Sequence, residues 1–495
     1  MIELTRVNLV NVCVSKSELV QVVRKEYLDK KTIELLESFF KGKKVQIVVE
    51  YPYYDNDYLS TYYLFYSKKQ GYYSKKCYRL HIYENYEGEY AYRGSIVLRP
   101  TKGSTNIGKT YLNPCFFLKE GYLILNQYTN SVLGDEVKVM AFPWMKQETD
   151  ITVCAHVALW SIIRYYGAKY SNYQDISMGE IVIKTPERNQ RKIPLSDLNM
   201  SQIPETLKKQ GFSPIVIRRG TEYKIFEDQL FAYIESGIPL IGCLTEKKHS
   251  VAIMGHGEVD LAKLDIYDTM NKGFNKNNVV LSSELLTSII VNDDAIGPYL
   301  NIDRQVNVFD AMIYQNWEHS RPYSVADFDY LIVPLYDRMQ FDYTSLMQAV
   351  TIFLQQKKMK LKENEEQEFH FLNPKRKYVA RVYISSAKSL KRQMSVTLKG
   401  NNVLRYFIKH LEMPKFVWNV DFSTVSEYKK GKVSAKMIVD TTCCNIDRQP
   451  WLLIHNDEYI WLMEQNHPEA DWNIIKTKVK PYDMYRNLKS VKEFI

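Results

Sequence analysis

The chain lacks several features that mark common functional classes. No apolar run approaches the ~20 residues of a membrane-spanning helix. The first residues, "MIELTRVNLVNVCVSKSELV", show neither the basic start with a continuous apolar stretch nor the small-residue cleavage site of a signal peptide. Neither C-x-x-C nor H-E-x-x-H occurs, so two common zinc signatures are missing. We therefore expect no membrane span, no export signal and no metal or other cofactor.

Cysteine is scarce and scattered. An odd number of widely spaced thiols does not form a disulfide framework, and unpaired thiols are typical of reducing compartments. We therefore expect a cytoplasmic protein. The seven cysteines are Cys13, Cys77, Cys115, Cys154, Cys243, Cys443 and Cys444.

Concentrated basic charge is also missing. The net charge of +9 comes from 66 basic and 57 acidic residues that are spread along the chain, whereas nucleic-acid binding usually shows a basic stripe. The two densest basic segments are "QQKKMKLKENEEQE", which glutamates offset at once, and the short "NPKRKYVARVY". We interpret both as solvated surface and expect no nucleic-acid partner. The sequence leaves the oligomeric state open.

The 495 residues are enough for two to four domains, and the pattern of elements changes twice along them. Residues 1–142 combine a helix, expected from the capping box Ser15 to Glu18 through Phe40, with strand-like segments. Residues 143–338 alternate helices and strands, and residues 339–495 contain a helix followed by strands. We therefore expect an α+β fold in which a central domain is flanked by N-terminal and C-terminal α+β or β-rich accessory domains.

The central region holds a group of residues that could carry out acyl transfer. Cys154 opens an apolar run, "CAHVALWSIIRYYG", which predicts a buried helix. The N–H groups at a helix N-terminus favour the thiolate form of a cysteine placed there. His249 opens the strand-like "HSVAIMGHG", where its imidazole can act as a base, and the amide of Gln147 can donate to an oxyanion.

Other interpretations of these residues stay open. A single cysteine in an apolar helix is often a core residue, and a histidine near a strand end is often structural. His156 lies on another face of the helix from Cys154, and seven positions separate His256 from His249 along their strand, so we expect neither histidine to be the base. A zinc site of Cys154, His156 and His249 would have unusual ligand spacing.

The order of these elements resembles that of papain-like cysteine peptidases, most closely the bacterial double-glycine leader peptidases. The shared order is glutamine, cysteine at a helix start, "YIESGIPLIGCL", histidine at a strand start, then a strand and aspartate. The resemblance covers residues 143–337 and implies a papain-like fold for them. It also implies that Cys154 is the nucleophile, His249 the base and Gln147 the oxyanion donor.

The resemblance also bears on the acid that orients His249. Family members carry Asp-Pro with a glycine shortly after, and "NDDAIGPY" offers Asp293 followed by Gly297, with Asp294 in place of proline. We therefore expect Asp293 to be the acid, ahead of Asp294 and of Asp268 in "YDTMNKG". Two departures are Ala155, where a glycine is common, and an interval of seven positions from Gln147 to Cys154.

These residues together predict a thiol hydrolase, a cysteine protease that cleaves a peptide or isopeptide bond through an acyl-enzyme. Its partner would be a protein or peptide substrate. Two alternatives are a catalytically silent papain-like recognition protein and an acyl transferase that uses the same triad. Nothing in the sequence assigns a role to the flanking regions.

Overall fold

A computed structural model of the chain describes residues 6–10, 21–101, 106–148, 150–186, 198, 200–220, 223–304, 323–356, 358–362, 365–368, 370–443, 449–463 and 472–494. Helices alternate with sheets whose strand pairs are almost all antiparallel, which confirms the α+β class. None of the helices in these ranges is long and apolar enough to cross a membrane.

The N-terminal region is an antiparallel sheet covered by a helix. The sheet has five strands in the order β1-β2-β3-β4-β5, and a separate hairpin, β7 and β8, follows it. The apolar face of helix α1 packs on the sheet through Leu36 and Ile47. The elements are β1 (Arg6–Val10), α1 (Lys30–Phe40), β2 (Val45–Tyr53), α2 (Asn56–Leu64), β3 (Cys77–Tyr86), β4 (Glu89–Leu98), β5 (Ile107–Leu112), β6 (Tyr122–Leu123), β7 (Asn126–Val132) and β8 (Asp135–Ala141).

The helix expected through Phe40 is interrupted. Residues 21 and 22 are helical, and Lys25–Tyr27 form a 3-10 turn. Helix α1 then begins at Lys30, where the Asp29 carboxylate accepts a hydrogen bond from the Thr32 N–H at 2.7 Å, and ends at Phe40 as predicted. An aspartate at this position satisfies a backbone donor that the helix itself leaves unpaired. Ser15 and Glu18 lie outside the described residues.

The central region is built on a sheet with the strand order β14-β13-β11-β10-β15-β9. Helix α3 packs against β11 in the middle of this sheet, so its apolar residues are buried nearly all round, as the sequence predicts. The elements are α3 (Cys154–Lys169), α4 (Met178–Lys184), α5 (Gln202–Lys208), β9 (Ser213–Arg218), α6 (Tyr223–Glu235), β10 (Leu240–Leu244), β11 (His249–His256), α7 (Leu261–Met270), β12 (Val279–Leu281), β13 (Ser288–Asp293), β14 (Gly297–Asp303) and β15 (Tyr330–Leu335).

The C-terminal region carries a sheet of seven strands in the order β12-β18-β19-β21-β22-β23-β24. Its elements are α8 (Tyr343–Gln355), β16 (Lys358–Lys362), β17 (Glu365–Glu368), β18 (Tyr378–Ser386), α9 (Ala387–Thr397), α10 (Asn402–His410), β19 (Phe416–Thr424), α11 (Val425–Lys429), β20 (Lys432–Val433), β21 (Ala435–Asp440), β22 (Trp451–His455), β23 (Tyr459–Met463), β24 (Trp472–Lys476), β25 (Tyr482–Asp483) and β26 (Lys489–Ser490).

Strands pair across both expected domain boundaries. β6, before the first boundary, pairs with β11, and β26 near the C-terminus pairs with β6. β12, before the second boundary, pairs in parallel with β18. One hydrophobic core contains residues of α3, β11, β19 and β22. The central and C-terminal regions therefore share a core.

A buried ionic network joins the central and C-terminal regions. Glu235, at the end of α6, accepts hydrogen bonds from Arg381 at 3.1 Å and from His256 at 2.9 Å. Arg381 also contacts Asp421 at 3.3 Å, and Asp421 pairs with Lys436. All five side chains are at most 7% exposed. A buried charge is tolerated only when it is paired, so this network constrains how the two regions pack.

Removing one charge from the network should destabilise the protein strongly. In Glu235→Gln the Arg381 guanidinium loses its carboxylate partner without leaving the interior, and we expect the free energy of unfolding to fall by about 3 to 5 kcal/mol. The matched control is Glu493→Gln, because the Lys489–Glu493 pair is 53% exposed on both sides and should contribute less than about 1 kcal/mol. Equilibrium urea unfolding of both variants measures the difference, and equal losses would contradict this assignment.

Candidate active site

Cys154 is the first residue of α3 and is half-buried, whereas the helix residues after it are mostly buried. The start of the helix is fixed by His156, whose Nδ1 accepts a hydrogen bond from the Val153 N–H at 3.3 Å. Its Nε2 lies 3.4 Å from the hydroxyl of Thr185. Burial lowers the pKa of His156 to about 4, so the ring is neutral at physiological pH and able to accept. His156 therefore positions the helix start and is not placed to act as a base.

His249 reaches Cys154 from the adjacent hairpin. β10 and β11 pair so that Leu244 lies opposite His249, and Lys248, the last of the four residues between the strands, has a φ of 48°. This turn brings the Lys248 carbonyl to 4.0 Å from the Cys154 Sγ. The first residue of β11 is thus held beside the first residue of α3.

The strand next to β11, β13, ends with an aspartate at the same edge of the sheet. β11 and β13 are antiparallel, with Ala252 opposite Asn292. Continuing this register by one residue puts Asp293 opposite Val251, which shares a sheet face with His249 because side chains alternate along a strand. The His249 Nε2 lies 2.9 Å from the Asp293 Oδ2. Asp293 is therefore the aspartate that contacts the ring.

The Asp293 carboxylate is held by groups other than His249. Its Oδ2 accepts a hydrogen bond from the Tyr323 hydroxyl at 2.8 Å, and its Oδ1 accepts from the N–H groups of Ala295 at 2.8 Å and Ile296 at 3.1 Å. Burial would raise the pKa of Asp293, but His249 and these donors lower it below its ordinary value. The carboxylate is therefore charged and fixed in orientation.

The pKa of the His249 ring is shifted in the opposite direction, upward. Burial would lower its pKa, but the Asp293 carboxylate, with contributions from the Cys154 thiol and Asp294, raises it well above its ordinary value. Because Nε2 is bonded to Asp293, Nδ1 is the ring nitrogen left for the thiol. The arrangement stabilises an imidazolium between a carboxylate and a sulfur.

Gln147 lies in a loop whose backbone is tied down on both sides. The Lys146 carbonyl accepts a hydrogen bond from Arg99 at 3.0 Å, and the Glu148 N–H donates to the Thr152 hydroxyl at 2.7 Å. The Gln147 side chain is half-buried and forms no hydrogen bond to any residue in the described ranges. Its amide is therefore available to a ligand, and it forms no hydrogen bond to Cys154.

The two other acid candidates have different surroundings. Asp268 lies on α7, is 45% exposed and pairs with Lys377 at 3.3 Å. Asp294 is 3% exposed and lies beside the site, but Asp293 makes the contact with the ring. His256 is at the far end of β11, bonded to Glu235.

The ligand atoms of His249, Asp293 and Asp294 all lie within 4.8 Å of one another. Such spacing also occurs in metal sites, but a protonated imidazole has no lone pair for a metal. The hydrogen bond from Nε2 to Asp293 also occupies the ring nitrogen that faces the carboxylates. The cluster is therefore better suited to holding protons.

Two residues around Asp293 are not apparent from the sequence. Tyr323 is separated from Asp293 by 30 positions and belongs to no motif, and the indole of Trp144 donates to the Asp293 carbonyl at 2.9 Å. Aromatic residues are common in this chain, which contains 38 tyrosines. Neither residue type nor spacing could distinguish them from core residues.

Loss of the Tyr323 hydroxyl should destabilise the protein. In Tyr323→Phe the buried Asp293 carboxylate loses a charge-assisted hydrogen bond, and we expect the free energy of unfolding to fall by about 1.5 to 3 kcal/mol. Tyr72 is 94% exposed, so Tyr72→Phe is the matched control and should change it by less than about 0.5 kcal/mol. Urea unfolding tests this expectation, which a neutral Tyr323→Phe substitution would refute.

Comparison with known proteins gives no relative. No family model, no curated protein and no solved structure matches the chain. Any functional conclusion therefore depends on the residues and contacts described above.

Proposed function

We propose that the chain is a cysteine hydrolase with a papain-like central domain, which cleaves a peptide or isopeptide bond through an acyl-enzyme. The observation that carries the proposal is the position of His249, whose ring interacts with Asp293 on one side and with the Cys154 thiol on the other. A nucleophile, a base and a group that orients the base are the minimum set for this chemistry.

The reaction divides into two acyl transfers. The Cys154 sulfur attacks the substrate carbonyl carbon, a C–S bond forms, and the carbonyl electron pair moves to oxygen. When the intermediate collapses, the C–N bond breaks and the His249 imidazolium gives its proton to the departing amine. Neutral His249 then removes a proton from water, which attacks the thioester, and Cys154 leaves as thiolate.

The oxyanion needs donors near the sulfur. We assign one donor to the backbone N–H of Cys154, because the first N–H groups of a helix have no partner within the helix, and the second donor to the side-chain amide of Gln147. The fixed backbone on both sides of Gln147 supports this role, because preorganised donors stabilise developing charge without reorganising. Removal of such a donor typically lowers turnover by about 10²- to 10³-fold.

In the proposed enzyme, the flanking regions hold the Gln147 loop and strand β11 in place. Arg99 of the N-terminal sheet holds the Gln147 loop, and β26 of the C-terminal region is joined to β11 through β6. Cys77, Cys115, Cys154 and Cys243 are free thiols, which agrees with a reducing, cytoplasmic setting. We treat residues 1–142 and 339–495 as accessory domains.

Labelling of Cys154 by an electrophile tests the proposed base. Iodoacetamide at neutral pH should alkylate Cys154 faster than half-buried Cys115 in the same molecule, because Cys154 interacts with the His249 imidazolium and the described groups that act on Cys115 include no histidine. His249→Gln should slow the reaction at Cys154 by about 10²-fold or more, and Asp293→Asn should slow it less. Peptide-resolved mass spectrometry measures both sites.

Asp268→Asn is the control for these variants, because Asp268 is an exposed acid away from the ring, and it should label at the wild-type rate. Equal labelling of Cys154 in the wild type and in His249→Gln would refute the proposed function.

Cys154 should contribute reactivity more than stability. Cys154→Ala removes a half-buried thiol and should change the free energy of unfolding by less than about 0.5 kcal/mol. Cys243 is the matched control, since it is 1% exposed on β10, and Cys243→Ala should leave a cavity and cost about 1 kcal/mol or more. Thermal unfolding compares the two, and a larger loss for Cys154→Ala would indicate a core residue.

A further inference from the structure

A second aspartate next to the proposed triad has no hydrogen-bond partner among the residues that the structure describes. Asp294 follows Asp293 in the turn between β13 and β14 and is 3% exposed. Both of its carboxylate oxygens are buried, and neither accepts a hydrogen bond from another residue in the described part of the chain. Its carboxylate lies within 4.8 Å of the ligand atoms of His249 and Asp293.

An unpaired carboxylate in this position is costly when it is charged. It can remain buried if it holds a proton, or if a nearby cation offsets its charge. Burial, together with the charge of Asp293, raises the pKa of Asp294 to about 7, against the opposing effects of His249 and Lys146. Asp294 therefore changes charge close to neutral pH.

The charged groups around Asp294 come from three elements. His249 faces it from β11, Asp293 from its own turn, and Lys146 from the loop that carries Gln147. Burial lowers the pKa of Lys146, and Asp29 and Lys31 at the start of α1 act on Lys146 with opposite signs. The proposed reaction requires the charge of His249 and does not use that of Lys146. The effect of Asp294 on His249 therefore has consequences for the reaction.

We propose that Asp294 is a positioning residue that sets the upper end of the pH range over which His249 keeps its proton. This inference rests on the proposed function. Below neutral pH a protonated Asp294 adds no charge, and His249 interacts with one carboxylate. Above neutral pH the ionised Asp294 places a second negative charge beside the imidazolium and opposes the loss of its proton. The His249 imidazolium, which donates a proton to the leaving amine, then persists to higher pH.

Because Asp294 is charged only above neutral pH, its replacement should change the titration of His249 only in that range. Asp294→Asn removes the charge but keeps the size and shape of the side chain. The titration of His249 should match that of the wild type at acidic pH, where Asp294 is neutral. Above neutral pH, His249 of the variant should lose its proton about one pH unit or more earlier. A role limited to packing would not produce a difference that appears only above neutral pH.

The experiment follows the His249 ring directly by NMR. Full-length protein with ¹³C-labelled histidine gives ring signals for nine histidines, and the His249 signal is identified by its absence in His249→Gln. Asp294→Asn, Asp268→Asn and the wild type are titrated in parallel. We expect Asp268→Asn to follow the wild type and Asp294→Asn to diverge above neutral pH. Identical curves for wild type and Asp294→Asn, or a shift of the same size at every pH, would overturn the inference.

The wild-type protein provides a second measurement if the variant does not fold. The His249 ring signal should show an additional inflection near neutral pH, where Asp294 ionises, and a single-step curve would overturn the inference. All titrations are repeated with EDTA. A difference between wild type and Asp294→Asn that disappears with the chelator would also overturn it, because Asp294 would then act through a metal ion.

Failure of this inference can be distinguished from failure of the proposed function. If His249→Gln leaves iodoacetamide labelling of Cys154 unchanged, the proposed function itself is wrong. If that substitution slows labelling but Asp294→Asn titrates like the wild type, only the role of Asp294 is refuted.

Discussion

The site depends on the antiparallel pairing of β11 with β13. This pairing places Asp293, the last residue of β13, opposite the third residue of β11, so Asp293 and His249 share one edge and one face of the sheet. Helix α3 packs on β11 and begins at the same edge with Cys154. A slip of one residue in this register would turn Asp293 to the opposite face. The three proposed catalytic groups are thus brought together by the sheet, while their chain positions are far apart.

The flanking regions contact the central region through polar groups on both of its sides. The N-terminal sheet supplies Arg99, which holds the loop before Cys154, and Tyr299 on β14 donates to the Leu112 carbonyl at the end of β5. On the other side, Arg381 of the C-terminal sheet pairs with Glu235 on α6. The central sheet is therefore fixed from both sides by buried polar contacts, which require accurate placement to offset the cost of desolvation.

Sequence patterns are sufficient to locate the parts of the site that local structure determines. The apolar run after Cys154 predicts the helix and its start, and the position of His249 after a short polar loop predicts the start of a strand. The choice of Asp293 over Asp268 needed the resemblance to a family, because both are plausible by spacing. Asp268 proves to be on a partly exposed helix with Lys377 as its partner.

Tertiary contacts determine what the sequence could not predict. Nothing local indicates that the Tyr323 hydroxyl donates to Asp293 or that the His156 ring accepts from the Val153 N–H. Nor does it indicate that both oxygens of Asp294 are buried without a hydrogen-bond partner in the described part of the chain. The pairing of β6 with β11 and of β12 with β18 crosses the boundaries expected from the change in pattern. Short strands of two or three residues carry too little periodicity to be recognised.

The central claim is that Cys154 forms an acyl-enzyme that water resolves. Its most direct test is digestion of a complex peptide library in H₂¹⁸O by the wild type and by Cys154→Ser, with new carboxyl termini identified by mass spectrometry. The account predicts new termini that carry ¹⁸O from the solvent in the wild-type digest and none with Cys154→Ser. Absence of new termini with the wild type, or the same termini with Cys154→Ser, would contradict it.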